Sequence, residues 1–259
     1  MKLALYSDLH LEMHLQPKSA MPWRPSELDI DVVVFAGDIA GGTDGLRWAA
    51  EAFRQCPVSP EILYVAGNHE YYRRDRRRLL AEMRETATKL GIHFLENDVL
   101  ELNGVRFLGT TLWSDFELYG RAAMAEHMTA AQQRIRDYST ILSDDDRCID
   151  PQETRYLHLE ARAFLERELE KPFSGKTVVV THFAPRPECV PEQFRGSVLS
   201  PYFTSDMTPL MRRYAIDLWA FGHTHHNISF VESGCRVTSN QMGYPTERCA
   251  DFGDGLIEV

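Results

Sequence analysis

The sequence predicts an α/β fold. Three observations point to it: short apolar runs that end in a small residue and then a polar one, little polar–apolar alternation inside those runs, and stretches of helical periodicity between them. Strands buried on both faces lose alternation, and in α/β folds helices supply the cover. The clearest run is Leu218-Trp219-Ala220-Phe221, which leads into Gly222-His223-Thr224-His225. Its counterparts lead into Asp8-Leu9-His10, Gly37-Asp38, Gly67-Asn68-His69-Glu70 and His182. Strand ends that all carry possible metal donors point to a single site at a sheet edge.

Taken in order, the first strand covers about 2–7, and the proline-bearing stretch 12–27 reads as a loop beside the first polar pair. Residues 31–36 form the second strand, 44–56 a helix with Leu46, Ala49, Ala50 and Phe53 on its apolar face, and 62–66 the third strand. A helix is predicted over 73–90, ended by Gly91. It begins with Arg73, Arg74, Arg76, Arg77 and Arg78, which read as a solvated face near Asp75 and Glu82 or, alternatively, as a phosphate or partner contact.

Residues 92–113 suggest three short strands, two of them joined by the hairpin signal Asn103-Gly104. Residues 114–172 are rich in Ala, Arg, Glu and Gln at helical spacing, and form a helical insertion or flank rather than a separate domain. Within them Asp150-Pro151-Gln152-Glu153 is a helix start, with Asp as cap, Pro first and Glu third. Strands return at 177–181, 217–221, 228–232, 235–239 and 255–259, and Ser233-Gly234 joins 228–232 to 235–239 in a second hairpin. We expect one domain over 1–259.

The formal charge of −10 argues against a nucleic-acid or anionic-membrane partner. Five widely spaced cysteines with no CxxC pair read as reduced thiols. The chain enters its first strand without a leader pattern, and no run approaches the ~18 apolar residues of a membrane span. The expected location is the cytoplasm.

Together Asp8, His10, Asp38, Asn68, His182, His223 and His225 form a nitrogen and oxygen donor set suited to Mn, Fe, Zn or similar divalent ions. They exceed what one catalytic ion takes while keeping an open position; two ions sharing a carboxylate match the count. Read singly, each has a plainer role: an Asp after a strand is usually a turn or cap residue, and a lone His a hydrogen-bonded core residue. His14, His93, His127 and His158 lie outside the pattern and read as surface or packing residues.

In this order the motifs Asp8-Leu9-His10, Gly37-Asp38, Gly67-Asn68-His69-Glu70, His182 and Gly222-His223-Thr224-His225 resemble the full motif set of calcineurin-like metallophosphoesterases. The resemblance spans residues 8–225. It implies a four-layer α/β/β/α sandwich of two mixed sheets, which periodicity alone does not distinguish from an open doubly wound sheet. It further implies that Asp8, His10 and His225 bind a first metal, that Asn68, His182 and His223 bind a second, and that Asp38 bridges them. His69 is implied to assist the leaving oxygen rather than bind metal, and a metal-bridging hydroxide to attack phosphorus in line.

Asp38 is followed by Ile39-Ala40-Gly41-Gly42. The protein phosphatase branch has an arginine in this stretch, so its absence argues against that activity. The wording Ser7-Asp8-Leu9-His10-Leu11 is more similar to bacterial phosphodiesterases and small phosphatases. The expected substrate is a small soluble phosphodiester or phosphomonoester, chosen by 12–27, 114–172 and 183–206. Tyr202, Phe203 and Tyr244 read as packing residues or, alternatively, as surfaces to stack on a base or aryl leaving group. A non-catalytic scaffold of the same fold is the alternative, and the complete donor set argues against it.

Overall fold

The computed structural model describes residues 1–14, 29–54, 56, 59–143, 147–247 and 249–259. Most of the loop 12–27 and part of the polar tract 143–147 lie outside the described residues. Two mixed sheets form the centre. The first contains β1 (Lys2–Tyr6), β2 (Val32–Ala36), β3 (Glu61–Val65), β4 (His93–Phe94) and β11 (Leu256–Glu258), ordered β11-β1-β2-β3-β4. The second contains β5 (Asp98–Leu102), β6 (Val105–Thr110), β7 (Lys176–Thr181), β8 (Leu218–Phe221), β9 (Ser229–Glu232) and β10 (Cys235–Ser239), ordered β5-β6-β7-β8-β10-β9. The inner strands are parallel, and the antiparallel partners β11, β5 and β9 sit at edges.

The missing alternation has a direct cause. Leu3, Leu5, Val32, Val34, Leu63 and Val65 of the first sheet share one apolar layer with Val105, Phe107, Val178, Val180, Leu218 and Ala220 of the second. The alternate residues Ala4, Tyr6, Val33, Phe35, Val179 and Trp219 belong to a second cluster containing the helix residues. Each fully buried Val, Leu or Phe contributes roughly 1.5–3 kcal/mol, so both faces of every central strand are apolar. The helices α1 (Asp44–Phe53) and α2 (Arg76–Leu90) cover the first sheet, and α5 (Pro151–Leu169) covers the second. Four layers result.

Both hairpins form where expected. Asn103 and Gly104 have φ of 49° and 79°, and Ser233 and Gly234 have 51° and 83°, the pair of positive values that a tight turn between twisted strands needs. The second helix starts later than predicted, at Arg76, with Asp75 accepting from the Arg78 amide at 2.8 Å. The backbone of Arg73 to Arg76 is instead bonded to the segment at Thr140 and Leu142: Arg73 N–H donates to Thr140 C=O at 2.9 Å and Arg76 N–H to Leu142 C=O at 3.0 Å. Those bonds compete with a helical turn. Arg73, Arg74, Arg77 and Arg78 are exposed, in keeping with a solvated face.

The region 114–172 is a flank of the fold. It holds α3 (Met124–Arg134), α4 (Asp137–Thr140) and α5, and α5 is the second sheet's outer layer. His127 and His158 within it are buried packing residues. Asp150 caps α5 as expected, accepting from the Glu153 amide at 2.9 Å. Asp150→Ala should therefore lower stability by about 1 kcal/mol, read as a fall in thermal midpoint; an unchanged midpoint would show that tertiary packing alone holds the helix start.

Candidate metal centre

Parallel strands place their carboxyl ends on one side, and loops there collect ligands. The end of β1 presents Asp8 and His10, β2 presents Asp38, β3 presents Asn68 and His69, β7 presents His182, and β8 presents His223 and His225. Backbone pairing continues beyond the strands: Asp8 N–H donates to Gly37 C=O, His10 N–H to Asp38 C=O, and Gly222 N–H to His182 C=O, at 2.9–3.0 Å. Gly67 leaves room for this approach, since a Cβ there would lie 2.1 Å from Asp38 Oδ1.

Two groups of donors share no residue: one atom each from Asp8, His10 and His225 lie within 4.8 Å of one another, and so do atoms of Asp38, His182 and His223. A third set, His10, Asp38 and His69, meets the same distance and links them. Asp38 Oδ2 stands between the groups, 3.9 Å from His10 Nε2 and 3.4 Å from His182 Nε2. In the first group His225 Nε2 is 3.0 Å from His10 Nε2 and 3.3 Å from Asp8 Oδ1. In the second, Asn68 Oδ1 is 3.1 Å from His182 Nε2. His223 Nε2 is buried with no hydrogen-bond partner among the described residues. Unpartnered imidazole nitrogens and carboxylate oxygens converging in a buried place are costly unless cations join them. The donor set fits two divalent ions.

Four of the donors are oriented from behind. His182 Nδ1 donates to Ala36 C=O at 2.8 Å, which leaves Nε2 to face the site and, once deprotonated, to offer its lone pair. His225 Nδ1 faces Glu247 Oε2 at 2.5 Å and His10 Nδ1 faces Glu12 Oε1 at 3.4 Å. Asn68 Nδ2 donates to Asp137 Oδ1 at 3.0 Å, turning its amide oxygen toward His182. Asp137 is fully buried and also accepts from the Tyr72 and Tyr202 hydroxyls. Tyr202 is thus part of the support, not a stacking surface.

Glu70 holds the frame. Its buried carboxylate accepts from the amides of Asp38, Ile39 and Gly67 at 2.8–3.0 Å and from the Tyr64 hydroxyl at 2.8 Å. Burial, with Asp38 nearby, pushes its pKa up to about 7.

Charge within the site is strongly coupled. Burial disfavours the charged form of His182, yet Asp38 and Asp8 outweigh it and raise the pKa to about 9. His225 rises to about 10 against burial, through Asp8 and Glu247. Burial and the charge of His182 hold His223 well below its usual value. Asp38 is held low despite burial by His182 and His69.

The backbone is strained at most of these positions. Asp8, His10, Asp38, His223 and His225 have φ of 55°, 45°, 55°, 75° and 47°, each in the left-handed region. Such conformations cost roughly 1–3 kcal/mol apiece and persist only where surrounding structure enforces them.

All the expected residues meet in one place, His69 included. Its Nδ1 lies 3.2 Å from Glu12 Oε1, its Nε2 3.1 Å from the Tyr244 hydroxyl, and its ring stacks on Tyr72 at 4.1 Å. Sequence reasoning missed Glu12, Asp137 and Glu247. Glu12 sits two residues after His10 and Glu70 ends its motif, so both were visible as neighbours; Asp137 and Glu247 lie in stretches with no pattern. Asp38, Asn68, His69, His223 and His225 floor a cleft of about 320 Å³ reached by Tyr72, Arg134, Arg136 and Phe203. An apolar pocket of about 250 Å³, lined by Val190, Phe194, Leu199 and Phe203, adjoins it.

Two outcomes follow from this arrangement. Asp137→Ala should weaken Mn²⁺ binding about 10–100-fold, measured by calorimetry, because Asn68 loses its orienting acceptor; unchanged affinity would separate Asn68 from the metal. Second, His182 and His225 are protonated at neutral pH in the metal-free protein, so each ion must displace protons. Apparent Mn²⁺ affinity should rise from pH 6 to pH 8 by up to about tenfold per unit for each proton released, and a flat profile would contradict it.

Comparison with known proteins agrees with this geometry. An uncharacterized protein of Acanthamoeba polyphaga mimivirus is 25% identical over 276 residues, covering 95% of this chain and 92% of that one. The crystal structure of a phosphopantetheinyl hydrolase from Mycobacterium tuberculosis superposes with a TM-score of 0.75 at 22% identity, over 100% of this chain and 95% of that one. The family model for calcineurin-like phosphoesterases, a dinuclear metal-dependent family, matches residues 1–227. With its two mixed sheets, their flanking helices and a match over most of its length, the chain belongs to the calcineurin-like phosphoesterase family.

Proposed function

We propose that this chain hydrolyses a small phosphodiester, acting as one domain with two divalent cations. Asp8, His10 and His225 would hold one ion, Asn68, His182 and His223 the other, and Asp38 both. The position of Asp38 Oδ2 between His10 Nε2 and His182 Nε2 carries this reading. When bound, the ions activate water as a nucleophile and neutralise the phosphoryl oxygens. Mn²⁺, Fe or Zn suits the donors. The apolar pocket beside the cleft supports a diester over a monoester, because it offers room for a substituent besides the leaving group. All five cysteines are unpaired, which supports a cytoplasmic protein, and no helix among the described residues is long and apolar enough to cross a membrane.

His69 is our candidate for the leaving-group acid. Burial lowers its pKa, but Asp38 and Glu12 more than offset this and the net shift is upward, which favours the protonated ring. Glu12 steadies the cation at Nδ1, Tyr72 fixes the ring plane, and Nε2 points at the Tyr244 hydroxyl, where a leaving oxygen would take the proton.

In Mn²⁺, bis-p-nitrophenyl phosphate should turn over faster than p-nitrophenyl phosphate, and a chelator should abolish both rates. A chelator-resistant rate would overturn the metal mechanism, and the opposite preference would assign a monoesterase. His69→Ala should cost about 10²–10⁴ in kcat with an alkyl leaving group and far less with p-nitrophenolate, which needs no proton. Equal losses on both would remove His69 from that role.

A further inference from the structure

We infer that Arg134 and Arg136 form a subsite for a second anionic group, carried on the leaving-group side of the substrate. The inference rests on the phosphoester reading of the cleft. Both arginines line it together with Asp38, His69 and His223, and they are the only Lys or Arg to do so among the described residues. Both side chains are exposed at the mouth, and neither has a carboxylate partner among the described residues. Some arginines elsewhere pair with acids, as Arg54 with Glu51, Arg84 with Asp98 and Arg155 with Glu117; what sets Arg134 and Arg136 apart is their place in the cleft. Leaving two guanidinium groups unpaired beside a site for an anion raises the local concentration of that anion and orients it.

Their placement is firm. Ile135 N–H donates to Ala131 C=O at 2.8 Å, ending α3, and Asp137 next along the chain is anchored by three donors. The Arg136 guanidinium lies 5.9 Å over the Tyr72 ring, and that ring stacks on His69. This contact puts Arg136 on the side where His69 would protonate the leaving oxygen. Planar guanidinium groups pair well with phosphate or carboxylate, so the substrate class is a phosphoester whose alcohol portion bears a further phosphate or carboxylate.

Two nucleotides that differ by one phosphate test this. Calorimetry with Mn²⁺-loaded protein compares thymidine 5′-phosphate with thymidine 3′,5′-bisphosphate. The wild type should bind the bisphosphate at least about tenfold more tightly, and raising ionic strength should shrink the ratio. In the double variant Arg134→Gln, Arg136→Gln the ratio should fall toward one, while Lys at both positions should keep part of it. General damage would weaken both nucleotides together and leave the ratio intact. Equal affinities in the wild type, or a ratio that survives the double variant, would overturn the subsite. Hydrolysis of bis-p-nitrophenyl phosphate, assayed alongside, reports separately on the phosphoesterase reading.

Discussion

The site depends on a buried carboxylate that would touch no substrate. Glu70 accepts from the amides of Asp38 and Ile39 on one loop, from Gly67 on the next, and from Tyr64 beneath them. Past the ends of β2 and β3 the amides of Asp38, Ile39 and Gly67 find no backbone acceptor among the described residues, and would be orphaned in a dry interior without Glu70. Four hydrogen bonds to one group satisfy them and fix the distance between Asp38 and Asn68. Asp38 also faces His10 of the first donor group, so the same contact seats the second group against the first.

Around that frame, support comes from all parts of the chain. Glu12 follows the first strand, Asp137 opens a short helix on the outer flank, and Glu247 lies near the carboxyl-terminal end. Glu12 steadies its neighbour His10 and the distant His69, Asp137 steadies Asn68, and Glu247 steadies His225. Helices that merely cover the sheets thus share a purpose with the loops that carry the chemistry. Asp137 is the plainest case, since the tyrosines that hold it also line or underlie the cleft.

Much of this was legible in the chain. Residues with local causes stood out: the apolar strands, the turns at Asn103-Gly104 and Ser233-Gly234, the cap at Asp150, and every donor at a strand end. The start of α2 was misjudged because the arginines after Tyr72 make backbone bonds to Thr140 and Leu142, a long-range competition that periodicity does not record. Asp137 and Glu247 were invisible for the same reason. A carboxylate that orients another side chain has no required spacing from it, and Asn68 and Asp137 are 69 residues apart.

The left-handed backbone at Asp8, His10, Asp38, His223 and His225 bears on how this site can evolve. That conformation is uncommon outside glycine; Asn, Asp and His are enriched there and β-branched residues are rare, although Arg73, Leu112, Trp113 and Phe116 also adopt it in this chain. Cysteine and glutamate also bind metals, but neither is enriched there. The choice of donors is therefore narrowed by the turn before any ion is considered. A lineage that exchanged nitrogen and oxygen donors for thiolates, to recruit a softer metal, would have to rebuild the loops first.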